Sequence, residues 1–183
     1  MTASRLLSLV AALVLCCSAA GAFEEPRGFG KATFGMPADE VRKLLPQAVP
    51  LSPGEQLGAS AISGPDISRM VLRNYTVEGL PKPTTVELRF WKHQLWGVIV
   101  YFGDNTDAEV TALLDKQFGP SDSTDPKQLL WIGATTQTTA TFRQRWYGSN
   151  DQKLSKEAQI WFMNAIKGGH GHGPAATPAP AAK

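Results

Sequence analysis

The stretch Thr84-Thr85-Val86-Glu87-Leu88-Arg89-Phe90-Trp91-Lys92-His93-Gln94-Leu95-Trp96-Gly97-Val98-Ile99-Val100-Tyr101-Phe102 decides the fold. Over residues 86–90 apolar and polar side chains alternate one by one, the period of a strand with one buried face. Residues 95–102 are apolar on both sides of the alternation, so this second strand needs cover on both faces and belongs in the middle of a sheet. Only Lys92-His93 separates the two strands, and so short a link makes them an antiparallel hairpin.

Working outward, residues 69–78 read as a strand before this hairpin, and 129–136, 139–147 and 158–164 as three strands after it. Two helices interrupt the pattern. Pro37 suits a first helical position because its missing N–H would be unpaired there; Asp39 and Glu40 favour the helix dipole, Val41, Leu44 and Leu45 form one face, and Pro46 ends the run. Thr106-Asp107-Ala108-Glu109 is a capping box, Val110, Leu113, Leu114 and Phe118 make an apolar stripe, and Gly119-Pro120 closes it. The expected fold is α+β, with two helices packed on one face of an antiparallel sheet of about six strands. Its order, helix then three strands over 37–102 and again over 106–164, reads as a pseudo-repeat. Residues 47–68, rich in Pro, Gly and Ser, form the long connection.

The segment Phe34-Gly35-Met36-Pro37-Ala38-Asp39-Glu40-Val41 resembles the G-M-x-x-x-E-V helix start of small exported bacterial domains, among them the outer-membrane-assembly small lipoproteins and the β-lactamase inhibitory proteins. That resemblance implies helices on an antiparallel sheet and a protein that binds other proteins without catalysis. The chain departs from both families, having neither a suitably placed lipidation cysteine nor cysteines for disulfides in its folded part.

Residues 1–22 read as a cleaved export signal: Arg5 supplies the positive start, 6–15 an apolar run too short to span a bilayer, and Ala20-Gly21-Ala22 a small-x-small cleavage site. Cys16 follows Leu15, and Cys17 follows Cys16, so neither stands behind the small residue that lipidation of a bacterial lipoprotein requires. Both cysteines leave with the signal, and residues 23–167 must fold as a single domain without disulfides or thiolate metal sites. The formal charge of the whole chain is +2, too small and too interspersed for non-specific attraction to nucleic acid or anionic membrane. The Gly, His, Ala and Pro of 168–183 predict a disordered tail, whose His170 and His172 are too few to make a metal site alone. Periplasm or medium is the expected compartment. No stable membrane anchor is expected.

Catalytic readings fail on composition. His93 is the single imidazole of the folded region, in a hairpin turn and without a cysteine partner. Gly28-Phe29-Gly30 lacks the third glycine of a dinucleotide loop. No catalytic residue, cofactor or metal is therefore expected.

The sharper feature is the far side of the sheet. If Val86, Leu88 and Phe90 face the helices, Glu87, Arg89 and Trp91 point away. The same parity sends Arg143, Arg145 and Tyr147 outward from 139–147, and Trp161 outward from 158–164. Arg89, Trp91, Arg143, Arg145, Tyr147 and Trp161 would form an Arg and aromatic face suited to a protein or peptide partner. Two alternatives stay open: the residues stabilise an exposed sheet partly covered by the 47–68 segment, or the five tryptophans reflect a small-ligand or lipid pocket between sheet and helices.

Overall fold

The computed structural model describes residues 23–52, 55, 57 and 66–167. The expected signal peptide, the expected tail and much of the 47–68 connection lie outside them. Each strand of the deciding hairpin occupies its expected place. Strands β5 (Thr84–Trp91) and β6 (Gln94–Tyr101) pair antiparallel, and the link carries left-handed φ at both Lys92 (46°) and His93 (65°). Two such residues give the turn whose twist matches the strands it joins.

Upstream lie a ribbon of β1 (Gly28–Phe29) and β2 (Ala32–Thr33), helix α1 (Ala38–Leu44), the short strand β3 (Val49–Pro50) and strand β4 (Ile67–Tyr75). Downstream come helix α2 (Asp107–Phe118), strands β7 (Gln128–Ile132), β8 (Thr136–Thr141) and β9 (Trp146–Asp151), and helix α3 (Gln152–Lys167). The large sheet has seven strands in the order β3-β4-β5-β6-β9-β8-β7, every pair antiparallel. β6 is central, as its apolar character on both faces requires.

Helices α1 and α2 lie with the core on one side of the sheet. Val86, Leu88 and Phe90 of β5 and Val98 and Val100 of β6 are buried there with Val41 of α1 and Val110, Leu113 and Leu114 of α2. Each such side chain contributes about 1.5–3 kcal/mol on leaving water. The capping box of α2 is formed in both directions, the Thr106 hydroxyl accepting the Glu109 N–H and the Glu109 carboxylate accepting the Thr106 N–H.

Three expectations are corrected. Residues 158–164 are part of helix α3 and not a strand, so the described residues hold three helices rather than two. Leu154, Ala158 and Trp161 recur at helical spacing and meet Trp91 and Trp96 on the sheet face opposite α1 and α2, whereas Ile160, whose alternation with Phe162 suggested a strand, is exposed. Residues 139–147 are not one strand: β8 stops at Thr141, the chain turns through Phe142 to Arg145, whose φ is 58°, and β9 begins at Trp146. β9 supplies the strand expected from 158–164, and β3 adds an edge strand inside the long connection.

A bulge in β6 shifts its alternation, Arg89 facing Gly97 while Phe90 faces Leu95. The extra residue puts Leu95 in the helix-side core and Trp96 on the other face with Trp91.

Candidate functional site

Strict alternation along β5 sets Glu87, Arg89 and Trp91 on the face away from α1 and α2. The sheet register adds neighbours: Arg69 lies directly opposite Arg89, Ile99 opposite Glu87, and Tyr101 opposite both Thr85 and Trp146. Glu87 is the centre of this group, with 0% of its side chain exposed. Its Oε1 accepts Arg89 Nε–H at 3.0 Å and lies 3.6 Å from Arg69 Nη1, while Oε2 accepts the Tyr101 hydroxyl at 2.6 Å.

A carboxylate removed from water costs several kcal/mol unless paired and hydrogen-bonded, and these three partners compensate it. The two arginine side chains, 15% and 14% exposed, are mostly buried around the carboxylate and leave the group one positive charge in excess. Burial, and then the bond to Glu87, raises the Tyr101 pKa above the ordinary phenol value, so the hydroxyl stays a donor. Arg69 also donates to the Glu55 carbonyl at 3.2 Å, and Arg73 pairs with the Glu55 carboxylate, which brings one residue of the long connection to this side of β4.

The six residues expected to share this face do not assemble on it. Arg89 does. Trp91 points to the same side but is 2% exposed, covered by Trp161 of α3 at a ring separation of 5.4 Å. Trp161 thus reaches the site from a helix rather than from a strand. Among the described residues, neither Trp91 nor Trp96 has a partner for its buried indole N–H. Tyr147 belongs to the opposite face, 7% exposed in the helix-side core. Its parity was counted through a turn that breaks the strand.

Arg143 and Arg145 lie in that turn. Arg143 is exposed, and Arg145 fastens the turn to the connection before α2, donating to the carbonyls of Gly103 (3.0 Å) and Asn105 (2.7 Å). Arg69, Glu87 and Tyr101 are the members missed as site residues. The Glu87-Leu88-Arg89 alternation already placed an acid and a base on one face; Arg69 and Tyr101 join them through pairing between strands, which no local pattern encodes.

On the helix side a cavity of about 590 Å³ lies between the β1–β2 ribbon, the C-terminal end of α2 and strands β4, β6 and β9. Next to it the segment before β1 is strapped to the β7–β8 turn. The Glu25 carboxylate accepts the N–H groups of Ala134 (2.7 Å), Thr135 (2.9 Å) and Thr136 (2.9 Å) and the hydroxyls of both threonines. Those bonds, the Thr135 N–H foremost, lower its pKa from 4.5 to about 2. Phe23 packs edge-on against Phe118 of α2.

Among the described residues no group of three or more His, Cys, Asp or Glu is placed to hold a metal ion, and no helix is long and apolar enough to cross a membrane. His93 is exposed in its turn, its carbonyl accepting the Ala38 N–H at 2.9 Å. Comparison with known proteins returns no match: no family model, curated protein or solved structure corresponds to this chain.

Proposed function

We propose that this chain is an exported, non-enzymatic binding domain of the periplasm or medium, which recognises a protein or peptide through the sheet face opposite α1 and α2. The observation that carries the reading is the pair Arg69 and Arg89, mostly buried but each with part of its side chain still exposed, and oriented by a wholly buried Glu87. Guanidiniums whose rotamers are already restricted lose little entropy when a carboxylate or carbonyl of a partner docks. Trp146, Ile99 and Thr139 extend the same face, half-buried, across β9, β6 and β8. The recognition set is accordingly Arg69, Arg89, Tyr101 and Trp146, with Arg143 exposed in the neighbouring β8–β9 turn; Trp91 and Trp161, packed on each other, and Arg145 and Tyr147 leave it for structural reasons.

Element order supports kinship with the small exported domains that the G-M-x-x-x-E-V segment resembles. Helix α1 is followed by the meander β4-β5-β6 and α2 by β7-β8-β9, the two meanders meeting along β6 and β9. We read these halves as copies of one unit, with β3 and α3 as additions.

The test is affinity capture from an envelope extract of the native source, with bound proteins compared by mass spectrometry. Trp146→Ala and Thr139→Arg, which alter this face, should lose the partner that wild type recovers. Lys116→Glu, on α2, should retain it. Equal recovery by all three variants would overturn the reading. Export is tested separately, by N-terminal sequencing of the secreted form, expected to begin at Phe23.

A further inference from the structure

The helix-side cavity carries a second inference, independent of the sheet-face reading because it opens on the other side of the sheet. Its volume of about 590 Å³ falls within the range of small-molecule pockets, roughly 300–1,000 Å³. Its walls combine aromatic and aliphatic side chains with nearly as much polar surface. Phe29 of the ribbon meets Tyr75 of β4 with ring centres 5.3 Å apart, Phe118 closes the α2 side, and Val98 and Val100 form the floor.

Gly28 and Gly30 line the cavity, and Gly28 cannot be filled, since a Cβ there would lie 1.9 Å from the Ala32 carbonyl oxygen. A void between layers with aromatic walls loses dispersion contacts that a ligand would restore.

Its polar groups come from Tyr75, Thr76, Gln117, Tyr147 and Ser149 together with Glu78. Tyr147 lines it, is 7% exposed, and its hydroxyl makes no hydrogen bond among the described residues; burial raises its pKa above the ordinary phenol value, so it is a neutral donor. Ser149, beside it on β9, already shares a hydrogen bond of 2.8 Å with Thr138. Glu78, exposed, is the one charged residue of the lining, and no cation accompanies it.

We propose that this cavity binds an uncharged, amphipathic small molecule with an aromatic or branched body and a hydrogen-bond acceptor, which Tyr147 engages. Carboxylates and phosphates are excluded by the same chemistry, since the lining offers Glu78 and no basic group to receive them.

Nile red, neutral and bearing a carbonyl, is a suitable probe, with the anionic dye anilinonaphthalene sulfonate as its counterpart. Wild type is expected to bind Nile red with blue-shifted emission and to bind the sulfonate weakly or not at all. Tyr147→Phe removes only the hydroxyl and should weaken Nile red about three- to tenfold with an unchanged circular dichroism spectrum. Thr76→Trp, at the exposed rim, should abolish binding by filling the mouth without disturbing the core. Thr139→Arg, on the opposite face, should leave it unchanged. The proposal is overturned if the sulfonate binds as well as Nile red, if Thr76→Trp and Tyr147→Phe both bind like wild type, or if Thr139→Arg removes binding.

Discussion

Replacing Glu87 by alanine strikes the one group that holds both arginines of the sheet face opposite α1 and α2. The variant loses the acceptor of Arg89 Nε–H and of the Tyr101 hydroxyl, and it leaves Arg69 and Arg89 directly opposite each other with no charge between them. Hydrogen bonds to a charged group contribute about 1.5–3 kcal/mol each, and breaking a buried ion pair by removing one partner costs about 3–5 kcal/mol. We take the second figure, because both arginines are mostly buried and cannot recover full hydration. At about 2–4 °C per kcal/mol for a domain of this size, Glu87→Ala should melt roughly 6–20 °C below wild type. Far-UV circular dichroism melts at neutral pH measure it. Glu87→Gln should fall between the two, since it keeps the shape and an acceptor but not the charge. The combination Arg69→Met, Glu87→Leu, Arg89→Met should recover most of the loss, because well-packed apolar side chains can replace a buried ionic group without destabilisation. A shift for Glu87→Ala under about 2 °C, the size of an ordinary surface change, would refute the argument that this face is organised by a buried carboxylate.

Glu25 predicts an acid-sensitive strap. Its folded pKa of about 2 lies below the ordinary 4.5, so its contribution is complete above about pH 4.5 and is lost as pH falls through 2. The melting-temperature gap between wild type and Glu25→Gln should be constant from neutral pH to about 5 and close on approach to 2; a gap independent of pH would sink the assignment. Thr106→Ala removes one half of the capping box and should cost about 1 kcal/mol in urea titrations, with no effect on Nile red or partner binding. Arg145→Ala should destabilise by about 1–2 kcal/mol through its carbonyl contacts while leaving partner capture intact, and lost capture at unchanged stability would return Arg145 to the recognition surface.

Local signals were sufficient wherever one residue's neighbours in sequence are also its neighbours in space. The Lys92-His93 turn, the alternation of 86–90, the apolar run of β6 and the Thr106 capping box each report a geometry closed within a few residues, and each is present in the structure. The sequence by itself thus determined an α+β fold, an antiparallel sheet, β6 as its central strand and the face to which Val86, Leu88 and Phe90 turn. It misled where parity was carried across a break. Arg145 adopts a left-handed φ that its residue type does not announce, so the count from Phe142 sends Tyr147 to the wrong face, and the Ile160 and Phe162 alternation suggests a strand where Leu154, Ala158 and Trp161 lie at helical spacing. Only the tertiary structure decided that α3 folds back over Trp91, that Arg69 and Tyr101 reach Glu87 from β4 and β6, and that a cavity remains beneath the ribbon. All three depend on which strands become neighbours and in what register, a choice made by the burial of the whole chain and carried by no single segment of it.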